Sequence, residues 1–141
     1  PERRILIAAD QILPRISPVV GVWASQPEAD SLGDFLASLE RYADLPEDTL
    51  VLPSHGRPFH GLHARRRELR RHHDERLEKV IGLCRQPTTA AAVARVLFDR
   101  PLDLHQTGFA LAETLAHLNR LLLAGAVERH DENGLWRWQA A

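Results

Sequence analysis

Short apolar runs alternate with turn-forming stretches over the first sixty residues. Residues 4–10 (Arg-Ile-Leu-Ile-Ala-Ala-Asp) form one continuous apolar run that ends in a carboxylate, and residues 49–52 form a second that Pro53 stops. Runs of this kind predict buried strands. Between them an apolar stripe at helical spacing predicts a helix, with Asp30 or Ser31 as its cap. The loop of residues 11–25 is apolar enough to predict that it lies against other structure, such as a pocket wall.

The pattern of residues 1–61 therefore predicts a strand, loop, helix and strand. Two strands and one helix are too few to close a core. We expect this piece either to complete its sheet with strands from an N-terminal half that the sequence does not contain, or to be unstable alone. The sequence has no methionine and its first strand begins at residue 4, which also favours a fragment of a longer protein.

The pattern becomes helical after residue 61. A long connecting helix is predicted over about 62–86, followed by helices over about 90–99 and 109–124, with Gly125 as a left-handed stop. Residues 126–138 predict two strands around an Asn-Gly turn. Helix, turn, helix and hairpin is the order of a winged helix. We therefore predict an α/β piece in residues 1–61, a connecting helix in 62–86 and a mostly helical winged-helix-like domain in 87–141.

Composition narrows the class of protein. The 44% hydrophobic content and 26% charge are typical of a globular chain, and a single cysteine excludes an internal disulfide. No apolar run approaches the roughly 20 residues that cross a bilayer. We expect a cytoplasmic protein without membrane contact. Positive charge is concentrated in residues 58–87, where eight basic and four acidic residues give a net charge of +4 (8 − 4).

Two residues at predicted strand ends carry the candidate chemistry. Asp10 ends the first strand, and His55 follows the second in Pro-Ser-His-Gly, residues 53–56. Parallel neighbouring strands would bring both side chains to one sheet edge, where α/β folds place their sites. Carboxylate oxygen and imidazole nitrogen are zinc ligands, but two ligands do not complete a site. From spacing alone, a turn-capping aspartate and a loop histidine are the commoner interpretation.

Three segments resemble the metallo-β-lactamase-fold hydrolases. Residues 7–18 resemble the late strand that supplies a metal-bridging carboxylate, although Ala9 stands where that family usually has glycine. Residues 51–59 resemble the segment with the last histidine ligand, and residues 69–77 precede what resembles an appended winged helix. The resemblance implies the C-terminal part of an αββα sandwich.

The resemblance also implies a mechanism. Two zinc ions would share a hydroxide that attacks a thioester, lactam or phosphodiester, with Asp10 bridging the ions and His55 completing the second site. The family's His-x-His-x-Asp-His motif and one later histidine are absent from this sequence. We therefore expect this chain alone to be inactive and to lack most of its metal ligands.

Other polar residues have competing interpretations. His60, His63, Arg65 and Arg66 are candidates for substrate binding. Ordinary loop polarity fits the two histidines better. The arginines of residues 65–71 have two interpretations. They could steer an anionic substrate towards the site, or they could form a solvated helix face and pair with nearby acidic residues. A small ester or thioester is the expected substrate, and RNA is an alternative.

The alternative function is a nucleic-acid-binding or protein-interaction module without catalysis. The predicted third helix offers Arg120 as its one cation toward a DNA groove, and the predicted wing tip at Asp131 and Glu132 is acidic. This charge pattern favours a structural or pocket-shaping role over DNA binding. An apolar surface intended for the absent half would favour self-association, so a homodimer is a further expectation.

Overall fold

The computed structural model describes residues 4–141, and the chain divides into two units. Among the described residues, the first unit comprises residues 4–18 and 36–73, and the second comprises residues 19–35 and 74–141. The predicted α/β class is confirmed at the level of a mixed chain with small sheets. In chain order the elements are β1 (Ile5–Ala9), α1 (Ser31–Glu40), β2 (Leu50–Pro53), α2 (Leu62–Leu83), α3 (Ala90–Leu97), α4 (Leu104–Leu123), β3 (Val127–Glu132) and β4 (Leu135–Ala140).

The sheet of the first unit consists of β1 and β2, which pair in parallel with Leu6 opposite Val51. Val51 is fully buried, as predicted for the second strand. The prediction of a buried first strand is wrong for Ile5 and Ile7, which are 44% and 79% exposed. Within residues 4–141, the sheet face that carries these two side chains is largely open at Ile7 and partly covered at Ile5, whereas Ala8 on the other face is buried.

Apolar residues from the loop, both helices and β2 fill the interior of the first unit. The loop after β1 contributes Ile12 and Leu13, which agrees with the prediction that this stretch lies against other structure. Asp30 begins α1 as predicted, because its Oδ1 accepts a hydrogen bond from the Gly33 backbone N–H at 2.9 Å. The buried apolar side chains of the unit include Ile12, Leu13, Leu36, Leu39, Val51, Leu62 and Leu69.

The second unit has a continuous core between helices and hairpin. Its buried members come from the end of α2, from α3, α4 and both strands: Val80, Cys84, Val93, Leu118, Leu121, Val127 and Trp138. Cys84 packs in this core, and desolvation by burial raises the pKa of its thiol. The thiol is therefore neutral at physiological pH and is a poor nucleophile.

Local capping signals set the helix boundaries in the second unit. Thr89 caps α3 by accepting a hydrogen bond from the Ala92 N–H at 3.2 Å. The predicted start of α4 near residue 109 is wrong, because Asp103 and Gln106 form a reciprocal capping box that starts the helix at Leu104. Gly108 therefore lies inside the helix. At the other end Gly125 has φ +69°, and the N–H groups of Gly125 and Ala126 bond to the carbonyls of Leu122 and Leu121.

The hairpin has the turn that its sequence predicts. Asn133 and Gly134 both have positive φ, 56° and 82°, which is the backbone of a two-residue turn that matches strand twist. β3 and β4 pair in antiparallel register, with Arg129 opposite Trp138. Backbone hydrogen bonds also join Trp138 to Thr88 in both directions, at 2.8 and 2.9 Å. The hairpin is thereby fixed to the segment that precedes α3.

No helix within residues 4–141 is both long enough and apolar enough to span a membrane.

Candidate functional site

The ends of the two parallel strands bring Asp10 and His55 together. β1 ends at Ala9 and β2 at Pro53, and the Ser54 N–H continues the ladder by donating to the Ala9 carbonyl at 3.0 Å. The His55 Nε2 lies 3.5 Å from Asp10 Oδ1. Their side chains are 71% and 68% exposed. Both side chains therefore reach one point at the solvent-facing rim, as the strand-end argument predicted.

A hydroxyl that the sequence argument missed also contacts the carboxylate. Ser54 Oγ donates a hydrogen bond to Asp10 Oδ1. Ser54 immediately precedes His55, so one short segment after β2 supplies both neighbours of the carboxylate. Outer partners of this kind orient metal-binding carboxylates. The available signal was the serine in Pro-Ser-His-Gly, but its direction depends on backbone geometry that the sequence does not reveal.

Asp10 projects from a backbone turn with an unusual conformation. Ala9 has φ +47°, in the left-handed region that glycine occupies without steric cost. The ladder register between β1 and β2 also shifts between Ile7 and Ala9. Gln11 closes the turn by donating its N–H to the Ala8 carbonyl at 2.9 Å. The positive φ explains why a glycine would suit position 9, and it aims the next side chain at the rim.

Replacing Ala9 with glycine is expected to stabilise the chain by about 0.5–1 kcal/mol. The change removes about 1–2 kcal/mol of left-handed strain and loses about 0.4–1 kcal/mol through the freer unfolded chain. Urea denaturation followed by circular dichroism measures the difference. The matched control is Ala8→Gly, at the preceding residue of the same strand, which does not have a positive φ and where we expect destabilisation. Equal destabilisation by both changes would contradict the strain at Ala9.

The loop that carries His55 is held by close packing and by a backbone bridge. Gly56 has φ +89°, and a Cβ built there would lie 2.7 Å from Pro14 Cγ. Beyond it, Val51 and Phe59 exchange two backbone hydrogen bonds of 2.8 and 3.0 Å. The position of His55 is thus set by the end of β2 on one side and by the Gly56–Pro14 contact on the other.

Replacing Gly56 with alanine is expected to cost more than the same change at Gly61. Gly61 has φ +93° but open space around it, so its variant reports backbone strain alone, about 1–2 kcal/mol. The Gly56 variant adds a clash with Pro14 that we expect to cost a further 1–3 kcal/mol, roughly the range for overpacking. Urea denaturation of both variants gives the difference. Equal costs would show that the loop moves away from Pro14 freely.

An open pocket of about 870 Å³ adjoins the Asp10–His55 pair and has His55 in its wall. The segment after β1 forms one side and the segment after β2 forms the other. Its lining residues are Pro14, Arg15, Ile16, His55, Gly56, Arg57, Pro58, Phe59 and His60. The apolar loop after β1 is therefore part of a pocket wall, as predicted. The volume falls within the roughly 300–1,000 Å³ of small-molecule sites.

Of the four residues predicted as candidates for substrate binding, one lines the pocket and three make contacts within the fold. His60 lines the pocket. His63 is buried in the first turn of α2, where its Nε2 lies 2.8 Å from the Leu45 carbonyl oxygen and its Nδ1 lies 3.2 Å from Arg66 Nη1. These contacts hold His63 within the fold of the first unit. A role for it in substrate binding stays a prediction that no described contact supports.

Arg65 and Arg66 hold the fold together from the start of α2. Arg65 donates to the carbonyls of Leu13 and Ile16 at 2.7 and 2.9 Å, beside an ion pair with Glu68. Arg66 donates to the Leu39 carbonyl at 2.6 Å and pairs with Glu40 at 2.9 Å. Both guanidinium groups thus donate hydrogen bonds to backbone carbonyls and form an ion pair with a glutamate.

Glu40 receives a second arginine at the end of α1. Arg70 donates to Glu40 Oε1 at 2.7 Å and to the Leu36 carbonyl at 3.3 Å. The Arg70 hydrogen bond, with help from Arg66, lowers the pKa of Glu40 against the opposing effect of desolvation. Cations near the last carbonyls of a helix interact favourably with its dipole. The predicted pairing at i+3/i+4 holds for Arg65 with Glu68, whereas Arg66 and Arg70 pair with a distant helix end.

Comparison with known proteins connects this arrangement to a family. The sequence model described as "Metallo-beta-lactamase-like, C-terminal domain" matches residues 77–141. Residues 77–141 are therefore similar to the metallo-β-lactamase-like C-terminal domain. A search of curated proteins finds no match.

Two solved structures extend the likeness from this C-terminal domain to nearly the whole chain. A β-lactamase domain protein from Burkholderia ambifaria is 48% identical over 97% of this chain and 41% of its own, with a TM-score of 0.94. A metallo-β-lactamase family protein from Thermus thermophilus is 38% identical over 99% of this chain and 42% of its own, with a TM-score of 0.85. The predicted resemblance to the metallo-β-lactamase superfamily is confirmed. The chain spans about two fifths of the length of each relative.

The residues at the rim fit part of a metal site. The Asp10 carboxylate and His55 imidazole offer the oxygen and nitrogen donors that zinc takes, on neighbouring side chains at an exposed edge. Within residues 4–141, however, no group of three or more His, Cys, Asp or Glu side chains is arranged to hold a metal ion. The described part of the chain therefore supplies two donors and not a complete ligand set.

Proposed function

We propose that this chain is the C-terminal part of a metal-dependent hydrolase that uses two zinc ions. The observation that carries the proposal is the 3.5 Å approach of His55 Nε2 to Asp10 Oδ1 at the rim of a parallel strand pair. The similarity to metallo-β-lactamase family proteins, which are more than twice as long as this chain, supports it. The remaining ligands would come from the part of the full-length protein that this sequence does not include.

The chain's own residues would orient metal ligands and would not act as nucleophiles. Asp10 offers its carboxylate with Ser54 fixing one oxygen, and His55 offers its imidazole from a loop packed against Pro14. Bound zinc would supply Lewis acidity and lower the pKa of water. Cys84, the one cysteine, is buried and its pKa is raised, so thiolate catalysis has no support.

The expected substrate is a small ester or thioester, with lactams and phosphodiesters as further members of the class. An open pocket of about 870 Å³ beside His55 is large enough for such a molecule. The pocket has apolar walls and basic side chains, which suits a substrate with an apolar part and a polar reacting bond. We also propose that the protein is cytoplasmic and forms a homodimer.

For the second unit we propose a winged-helix-like domain with a structural role. The polar residues that α4 would need for reading DNA are instead buried: Glu113, Thr114, His117 and Asn119. Asn119 donates to the carbonyls of Pro27 and Ala29, and Arg120 pairs with Asp30 at 2.9 Å. Burial raises the pKa of Glu113, against the opposing effect of the Arg76 guanidinium, which lies 2.5 Å away.

The alternative of a nucleic-acid-binding module has weaker support. The tip of the hairpin at Asp131 and Glu132 is exposed and acidic, so it would repel phosphates. Trp136 and Trp138 pack edge-to-face in the unit's core instead of presenting faces for base stacking. A titration with duplex DNA and with single-stranded RNA at low salt separates the two functions. Tight, salt-sensitive binding would favour the alternative.

Metal analysis of two proteins tests the proposed hydrolase. We expect the full-length protein to carry about two zinc ions per chain and to hydrolyse members of a panel of thioesters, lactams and phosphodiesters. We expect the isolated chain of residues 1–141 to carry less than one ion and to be inactive. A full-length protein with less than one ion per chain and no activity on the panel would contradict the proposal.

A further inference from the structure

The pocket beside the Asp10–His55 pair has an arginine in each of its two sides. Arg15 enters its lining from the loop after β1, and Arg57 enters from the loop after β2. His55 and His60 complete the polar part of the lining, and no aspartate or glutamate is among the lining residues. Two arginines from separate loops thus face one cavity. The nearest acid that the structure places beside this lining is Asp10, whose Oδ1 lies 3.5 Å from His55 Nε2. The arginines therefore make the part of the lining away from Asp10 favourable for an anion.

The two pocket arginines differ from the arginines at the start of α2. Arg65 and Arg66 each have an ion pair and backbone acceptors. Among residues 4–141, Arg15 and Arg57 have neither an ion pair nor a side-chain hydrogen bond. Their donors are therefore available, and an arginine fork matches a carboxylate or phosphate in two parallel hydrogen bonds.

The same cavity has an apolar wall. Pro14 and Ile16 lie on one side and Pro58 and Phe59 on the other. Ile16 is 62% exposed, so apolar surface is open to a ligand there. The wall is rigid where Pro14 packs against Gly56 and where Phe59 is bridged to Val51. A ligand that fits the cavity has an anionic group for the arginines and an apolar group for this wall.

We propose that Arg15 and Arg57 bind a negatively charged group, a phosphate or a carboxylate, that the substrate carries beside the bond to be cleaved. The inference rests on the proposed hydrolase, because His55 lies in the same pocket wall. It assigns anion binding to two arginines that the sequence argument did not single out. Arg65 and Arg66, which the sequence suggested for this role, are instead bonded within the fold. It also makes the substrate a small anionic molecule with an apolar portion.

Binding of small probes to the full-length protein tests the site without requiring turnover. The probes are phenyl phosphate, phenylacetate and the neutral phenylacetamide, measured by isothermal titration calorimetry. We expect at least one anion to bind about tenfold more tightly than the amide, which is the effect of one charged hydrogen-bonded pair. The stronger of the two anions identifies the group. Equal binding of all three probes would overturn the proposal.

Single substitutions assign the binding to the two arginines. We expect Arg15→Gln and Arg57→Gln each to weaken binding of the anionic probe about tenfold and to leave the amide unaffected. The matched control is Arg41→Gln, an exposed arginine of the same unit that does not line the pocket. Unchanged anion binding in both pocket variants would overturn the proposal, as would an RNA oligonucleotide that binds over 100-fold more tightly than either probe.

A metal-site variant distinguishes this proposal from the hydrolase itself. His55→Gln is expected to lower the zinc content while the arginine-dependent preference for the anion remains. If the wild-type protein holds no zinc and yet binds anions through Arg15 and Arg57, the proposed hydrolase is contradicted and the anion site is supported. If it holds zinc and hydrolyses substrates equally well without either arginine, the anion site is contradicted and the proposed hydrolase is supported.

Discussion

In the full-length protein, replacing His55 with glutamine is expected to lower the zinc content from about two ions per chain towards one and to reduce hydrolytic activity by about 100-fold or more. Loss of an outer partner of a metal ligand already costs about 10–100-fold, and His55 would be a ligand itself. Its imidazole is 71% exposed, and Asp10 is its one ion-pair partner among the described residues. The fold should therefore tolerate the change within about 0.5 kcal/mol, as for other surface positions.

The control for this variant is His60→Gln, which changes another exposed histidine of the same pocket. We expect its zinc content to equal that of the wild type, measured by plasma mass spectrometry on dialysed protein. Asp10→Asn should behave like His55→Gln, because an amide cannot replace a charged bridging carboxylate. Full zinc content in the His55 variant would remove this residue from the ligand set. Loss of zinc through unfolding is recognised by circular dichroism.

The geometry of the rim could be predicted because it depends on topology. Once residues 5–9 and 50–53 pair in parallel, their carboxyl ends must meet, and Asp10 and His55 follow at once. The turns at Asn133 and Gly125 could also be predicted from the sequence, because asparagine and glycine are the residue types that adopt a positive φ most readily. These features are local, or follow from one strand pairing, so the order of residues is enough to predict them.

The features that sequence reasoning missed depend on contacts distant along the chain. Arg65 and Arg66 form a local charge run, yet their acceptors include the Leu13 and Leu39 carbonyls, 52 and 27 residues away. Ile7 belongs to a continuous apolar run, yet its exposure depends on what covers the sheet. The start of α4 was missed for a different reason. The residues of the capping box, Asp103 and Gln106, were present in the sequence, but the predicted helix began only after Gly108.

Replacing Trp138 with alanine is expected to destabilise the second unit by about 3–5 kcal/mol, the usual cost of emptying a buried aromatic site. Trp138 is fully buried among the core residues of α2, α3 and α4, and it packs edge-to-face on Trp136 at 6.4 Å between centroids. Typical domains have only about 5–15 kcal/mol of stability in total. The variant should therefore lose much of its cooperative unfolding transition in urea.

Two further variants help to interpret the cost of Trp138→Ala. One separates the loss of side-chain volume from the loss of the indole N–H, and the other provides a control at a half-exposed tryptophan. Nε1 of Trp138 is buried without a hydrogen-bond partner in the described part of the chain, so Trp138→Phe removes an unsatisfied donor together with part of the volume. We expect it to cost less than half as much as alanine. Trp23→Ala, at a half-exposed tryptophan of the same unit that contacts Phe109, should cost about 1 kcal/mol. If Trp138→Ala cost no more than Trp23→Ala, the hairpin would not be part of the core, and its antiparallel strands would contribute little to the stability of the unit.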